Sequence, residues 1–294
     1  MSDFKRGVPY AVFAYTLWGF LPVYWRLLGF VSPLHILGCR IIFSLLFTSA
    51  ILFAKKNTAW LQLLFTPGRR RFTAAAALAV TLNWGIYIWA VNSGHTIEAS
   101  LGYYINPLVA ILLGLVFLRE RLNVLQWAAF ALAALGVILN TIFSGVFPLI
   151  SLLLAVTFGV YSLFKKQNSA GALETLSAET LSVFPAGLLL LAFPLRDLGV
   201  LGALSFPQWL LLAGAGPATA IPLFAFSKSA KLIPLSALGF LQFINPTILF
   251  FLGIFVFDEP FNPRGFWSFA CIWAAVALYC VSLRKGLVRS RNHS

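Results

Sequence analysis

Three histidines and eight carboxylates, beside three cysteines, are a small stock for acid, base or metal chemistry in 294 residues. His35 and His95 stand near the ends of apolar stretches, and His293 is in a polar tail. Cys39, Cys271 and Cys280 lie inside apolar runs, where a free cysteine acts as a small hydrophobe. No Ser/His or His/Glu pair recurs at ligand spacing, and no phosphate-binding loop is present. The expectation is therefore no enzyme, no cofactor and no metal site. The polar residues that stand out are those set within long apolar runs. Ile105-Asn106-Pro107 and Ile244-Asn245-Pro246 form a matched pair. Proline removes the helical bond to the carbonyl four residues back, which frees the Tyr103 carbonyl in one run and that of Gln242 in the other. Trp18 with Pro22, Asn83 with Tyr87, Tyr161, and Pro217 with Pro222 occupy similar settings. The candidate ligand-binding residues are thus Trp18, Asn83, Tyr87, Tyr103, Asn106, Tyr161, Gln242 and Asn245. Pro22, Pro107, Pro217, Pro222 and Pro246 are expected to break helices. Asn83 serves equally well as a helix-to-helix bond, and a packing kink without ligand contact is the alternative reading of each break.

Arg40 is the one charge clearly inside an apolar run, and Glu98 stands at the end of another. The two are candidates for an ion pair at one mouth of the molecule, or Glu98 for a group that carries a coupling proton. A structural pair or a solvated rim is the alternative.

These residues must be positioned by elements of an unusual kind. Of the 294 residues 60% are hydrophobic and only 10% charged, and mean hydropathy is +0.90. An ordinary soluble domain carries roughly 25% charged residues. Such a chain cannot skin one or two soluble cores, so it is expected to be an all-α polytopic membrane protein. A bilayer core takes about 20 apolar residues per helix. Ten runs of that kind cover roughly 8–30, 34–54, 72–94, 98–118, 124–143, 147–165, 175–195, 208–227, 234–257 and 265–283. The thinnest separators are Ser93-Gly94-His95 and Ser144-Gly145. With the N-terminus placed in the cytoplasm, seventeen basic residues fall on inside segments and only Arg26, Arg196 and Arg264 outside. That bias is the positive-inside rule. It accounts for the net charge of +13 without a nucleic-acid partner, and it puts both termini in the cytoplasm. Segment 55–71, with Trp60, Leu61, Leu63, Leu64 and Phe65 between basic flanks, suits either a short helix in the headgroup region or an ordinary loop. The tail 284–294 is expected to be disordered.

The two Asn-Pro runs belong to a longer repeat. Ile105-Asn106-Pro107, Gly114 and Glu120 match Ile244-Asn245-Pro246, Gly253 and Glu259 at a constant offset of 139, and Trp18-Gly19 faces Phe158-Gly159 at 140. Two units, 1–143 and 144–294, are expected. Five spans per unit is odd, so tandem copies enter the membrane from opposite sides as an inverted repeat. At 1.5 Å per residue both Asn-Pro pairs then lie near the middle of the bilayer.

The motifs Tyr15-x-x-Trp18-Gly19-x-x-Pro22, Asn83-Trp84-x-x-Tyr87-x-Trp89-Ala90-Val91-Asn92 and Ser100-Leu101-Gly102-Tyr103-Tyr104-Ile105-Asn106-Pro107 occur in order. Leu118-Arg119-Glu120, Gln126-Trp127 and Asn245-Pro246-Thr247 follow them. In these the chain resembles the drug/metabolite transporter superfamily, in its ten-span EamA class and nearest its RarD group. The resemblance implies a secondary carrier of small organic metabolites or drugs in the cytoplasmic membrane, often an exporter. Its expected partners are the lipid bilayer, a small-molecule substrate and protons as a coupling ion. A facilitative pore is the alternative function, ahead of an intramembrane enzyme.

Overall fold

The computed structural model describes residues 3–145, 147–192, 198–258 and 263–291. Among them are helices and no strand. The helices are α1 (Asp3–Leu27), α2 (Pro33–Ala54), α3 (Ala59–Gln62), α4 (Pro67–Asn92), α5 (Thr96–Phe117), α6 (Val124–Ser144), α7 (Leu149–Gln167), α8 (Ala172–Ala192), α9 (Leu198–Gly202), α10 (Phe206–Leu232), α11 (Leu235–Gln242), α12 (Ile244–Phe255) and α13 (Pro263–Arg291). Over their described residues, each of the ten apolar runs is largely helical, with α11 and α12 sharing one run. Eight helices, counting α11 and α12 together, are long and apolar enough to cross a membrane. The chain is a multi-pass membrane protein. Helices α1 and α4, at 25 and 26 residues, have the length but are not among the eight.

Local chemistry explains the boundaries. Gly94 (φ +81°) and Gly145 (φ +68°) both take the left-handed conformation that ends a helix. Those two residues are why the thin separators hold as real breaks. Asn123 and Gln126 close a capping box at the start of α6, each side chain 3.0 Å from the other's backbone N–H. Segment 55–71 holds the four-residue α3 and, from Pro67, the start of α4. Trp60 and Leu63 are buried against Leu52 and Ala178, so this segment tucks onto α2 and α8, while Phe65 stays exposed. At the other end α13 runs on as helix through Arg291, in place of the expected disordered tail.

Four of the five helix-breaking prolines do not break their helices. Pro22 lies inside α1, Pro107 inside α5, and Pro217 and Pro222 inside α10, all continuous. A proline costs one backbone bond, and the turns on either side keep theirs. The α11–α12 run is interrupted, at Phe243, three residues before Pro246. There the Thr247 amide and hydroxyl both donate to the Phe243 carbonyl, at 3.2 and 2.8 Å.

Packing follows a simple exchange. Helix α1 packs on α10 and α12, and α7 packs on α4 and α5. Helix α2 packs on α10, and α8 on α4. The pairs α2–α8, α5–α11 and α6–α13 are the other large ones. Exchanging each helix for the one about 139 residues away turns these large pairs into themselves, whereas the smaller α7–α10 and α8–α10 contacts have no comparable counterpart among the described residues. The loop geometry repeats too: Arg119 and Asp258, 139 apart, both adopt positive φ, 53° and 54°. After Arg119 the Glu120 carboxylate turns onto the N-terminus of α11, accepting from Leu235 N at 2.6 Å and Ser236 N at 2.8 Å. A carboxylate there meets both unsatisfied donors and the positive helix end. Gly114 makes room, since a Cβ at that position would sit 2.8 Å from Glu120 Oε2. The matched Gly and Glu of the repeat motif thus have a structural task in the first copy. Glu259, the counterpart of Glu120, lies outside the described residues.

Candidate functional site

Arg40 extends from α2 toward residues of α1, α4, α5 and α10. Its Nε donates to Thr219 Oγ1 at 3.0 Å. Its guanidinium carbon lies 4.6 Å from the ring centroid of Trp25 and 5.5 Å from that of Trp84. Tyr87 and Tyr103 are the other groups within electrostatic reach. Their rings meet edge to face at 6.3 Å. One turn further along α2, Ser44 Oγ donates to the Gly216 carbonyl at 3.1 Å and holds α2 against α10. Thr219 is buried, whereas Arg40, Trp25, Trp84 and Tyr103 are half-buried and Tyr87 is 36% exposed. A guanidinium stays charged in any protein, and ring faces stabilise it without neutralising it. Among the described residues no carboxylate pairs with it.

Glu98 in particular is not its partner. The Glu98 Oε1 atom lies 2.9 Å from His95 Nδ1, three residues earlier in the chain. The Glu98 backbone carbonyl accepts from Ser151 Oγ at 2.6 Å. The expected mouth pair of Arg40 and Glu98 is therefore corrected. Similar depth brings them level, but local geometry at the α5 N-terminus gives Glu98 a nearer partner.

Trp18 and Tyr161 sit together in a knot of rings. Trp18 packs on Tyr15, Phe158 and Phe226 at 5.5–5.8 Å between centroids, and Tyr161 stacks on Phe226 at 6.0 Å. Beyond it lies a buried ion pair that sequence reasoning misses. Lys165 Nζ is 2.9 Å from both carboxylate oxygens of Glu179, and 3.1 Å from Thr175 Oγ1. The two side chains are 0% and 3% exposed. The Tyr161 hydroxyl lies against Glu179 and Ser227. Lys165 occupies the last turn of α7, where charge counting alone assigns it to an inside loop. Helical side chains lean toward the N-terminus of their helix, so this ammonium points back into the bundle. The usable signal is an ammonium and a carboxylate facing each other across the α7–α8 turn, each within a helix rather than beyond its end.

The remaining candidates divide. Asn83 Nδ2 donates to the Leu154 carbonyl at 2.9 Å and to Thr157 Oγ1 at 3.0 Å, binding α4 to α7. This is the helix-to-helix reading. Asn106 and Asn245 are each 6% exposed, and the Oδ1 of each is buried with no hydrogen-bond partner among the described residues. Gln242 is buried at the end of α11. The structure thus gathers Tyr87 and Tyr103 around Arg40, and Trp18 with Tyr161 in the ring knot. At the end of the molecule nearest Lys165, a separate cleft of about 390 Å³ is lined by Arg6, Lys55, Lys228, Lys231 and Glu174 among others.

The comparisons with known proteins agree with this architecture. The model of the EamA-like transporter family matches residues 5–142. The "Uncharacterized transporter YojE" of Bacillus subtilis is 42% identical over 99% of both chains. The "Protein RarD" of Streptomyces exfoliatus is 39% identical over 99% of this chain and 93% of its own. A solved crystal structure at 18% identity superposes with a TM-score of 0.74, covering 96% of this chain and 98% of that one, which establishes the fold. With transporters on every side of it and no enzyme among these relatives, the chain belongs to the EamA-like drug/metabolite transporter family, in its RarD group.

Proposed function

We propose that the chain is a secondary transporter that exports small organic metabolites or drugs across the cytoplasmic membrane. It works by alternating access between two inverted five-helix units, 1–143 and 144–294, with ten spans and both termini in the cytoplasm. The observation that carries this reading is that the largest helix pairs map onto one another when each helix is exchanged for the one about 139 residues away. Arg119 and Asp258, with their shared positive φ, support the same exchange. Two like halves related in this way can open in turn to either face. Burial differs between the two places: Arg40 and the rings about it are half-buried, while Lys165 and Glu179 are sealed. The charge bias of the loops assigns Arg40 to the outer side and Lys165 to the inner.

The test starts from metabolite pools in medium and cytosol with the gene deleted and overexpressed. A compound that follows the gene is then given to the purified chain in liposomes. A carrier shows saturable flux, accelerated by the same compound on the far side. Flux that neither saturates nor responds to the far side means a pore and defeats this reading. The proposed coupling ion is the proton, carried by Glu98 at the outer mouth beside His95. Glu98→Gln is then expected to lose the response to an imposed pH gradient and keep counterflow. Full coupling in that variant assigns the proton elsewhere.

A further inference from the structure

Arg40 is a fixed positive charge deep in a bundle of apolar helices, and among the described residues no negative charge meets it. One of its five N–H groups is taken, by Thr219. Its faces lie over Trp25 and Trp84. What is left is the outer fork of the guanidinium, on a residue that keeps accessible surface, with Tyr87 and Tyr103 in reach. That fork is planar and matches a carboxylate with two parallel hydrogen bonds. Leaving it empty inside a membrane protein is costly, and charges in such places mark the path of a ligand.

The second half of the chain shows that the fold can neutralise a charge at this place. Residue 179 is the counterpart of residue 40 at the repeat offset of 139, and residue 165 is the counterpart of Trp25 at 140. In that copy Glu179 is met by Lys165 at 2.9 Å. In the first copy the neighbour at the matching position is the ring of Trp25, which carries no countercharge. An independent feature points the same way. The cleft at the opposite end presents Arg6, Lys55, Lys228 and Lys231 against the single acid Glu174, and Glu174 is already bonded by Asn57 at 2.9 Å. A positive lining at both ends of the bundle draws anions and repels cations.

We propose that the substrate is a small organic anion, whose carboxylate pairs with the Arg40 fork and whose flat body is enclosed by Trp25, Trp84, Tyr87 and Tyr103. This rests on the transport reading for the word substrate, and on the unpaired Arg40 and its ring neighbours alone for the binding. A cation or a neutral drug of the same size is disfavoured at this site.

The test is binding to the purified full chain in detergent micelles, read by tryptophan fluorescence. The probes are benzoate, the smallest flat anion of this class, and benzamide, its neutral isostere. Wild type is expected to bind benzoate at least about tenfold more tightly than benzamide, since a hydrogen-bonded charge is worth about that much. Arg40→Gln is expected to bring benzoate down to the benzamide level, with Arg40→Lys between. Equal affinity for the two probes in wild type, or binding of neither, overturns the proposal without recourse to any variant. So does an Arg40→Gln protein that keeps the preference. If binding is selective for charge yet liposome counterflow is absent, the transport reading falls and the anion site stands. If counterflow is present but binding ignores charge, the reverse holds.

Discussion

Arg40 and Glu179 occupy matching positions in the two halves of the chain, yet their surroundings are opposite in kind. Glu179 has Lys165 at 2.9 Å and Thr175 beside that ammonium, with almost no accessible surface. Arg40 has one bond to Thr219, two indole faces and open surface. One half spends its charge on itself, and the other presents it. Positions matched at one sequence offset therefore carry unlike chemistry. The Lys165–Glu179 pair is sealed, and the Arg40 guanidinium has no carboxylate partner among the described residues. The same distinction separates other residues. Glu120 is fully engaged at the α11 N-terminus, while Asn106 and Asn245 hold amide oxygens that nothing described satisfies. Groups that the protein satisfies should matter for stability. Groups that it leaves open should matter for flux.

The largest effect expected from this contrast is at the dry pair. Lys165→Met strands a buried carboxylate and should cost about 3–5 kcal/mol in unfolding of the solubilised chain. The double variant Lys165→Met, Glu179→Leu should recover most of that loss, because two apolar side chains need no partner. A single variant that unfolds like wild type would mean the pair is not dry. Next comes Glu120→Gln, which keeps the shape and removes the charge from the helix end. A loss of about 1–2 kcal/mol is expected, with faster amide exchange at Leu235 and Ser236. Unchanged exchange at those two amides would place the cap elsewhere. The smallest stability effects belong to the open groups. Asn106→Ala and Asn245→Ala remove an unsatisfied oxygen and should change unfolding by no more than about 1 kcal/mol. Transport per molecule in the membrane should nonetheless fall in both. Normal flux at equal abundance in both variants would remove the Asn-Pro pairs from the pathway.

Much of the architecture is legible in the chain without coordinates, for a physical reason. Bilayer thickness fixes helix length, so ten apolar runs between charges and glycines become ten helical segments. Gly94 and Gly145 suffice to separate α4 from α5 and α6 from α7, because a left-handed residue ends a helix wherever it stands. The site is harder to read. Depth along an axis follows from residue counting, but the direction a side chain faces does not. Depth alone therefore matches Arg40 with Glu98, when Arg40 faces Trp25, Trp84 and Thr219 instead. Lys165 reads as a loop charge because its Cα is near a helix end, although its ammonium turns inward. Glu120 looks like one of several end charges. Its partners, Leu235 and Ser236, are more than a hundred residues away, and only the packing of α5 on α11 brings them together. The prolines promise more breaks than they make, since one missing bond does not end a helix whose neighbouring turns are intact.

The contrast between Arg40 and Glu179 can be put to the test by making the first half resemble the second. Trp25→Glu places a carboxylate at the position that matches Lys165, next to Arg40, and Trp25→Gln removes the same ring without adding charge. Saturable flux of the gene-dependent compound is measured for both in liposomes at equal protein. If Arg40 is kept open for an anionic substrate, Trp25→Glu closes it with a built-in partner, and flux should fall at least about tenfold below that of Trp25→Gln. Equal flux in the two variants would contradict the account, because a neutralised Arg40 would then serve as well as a free one.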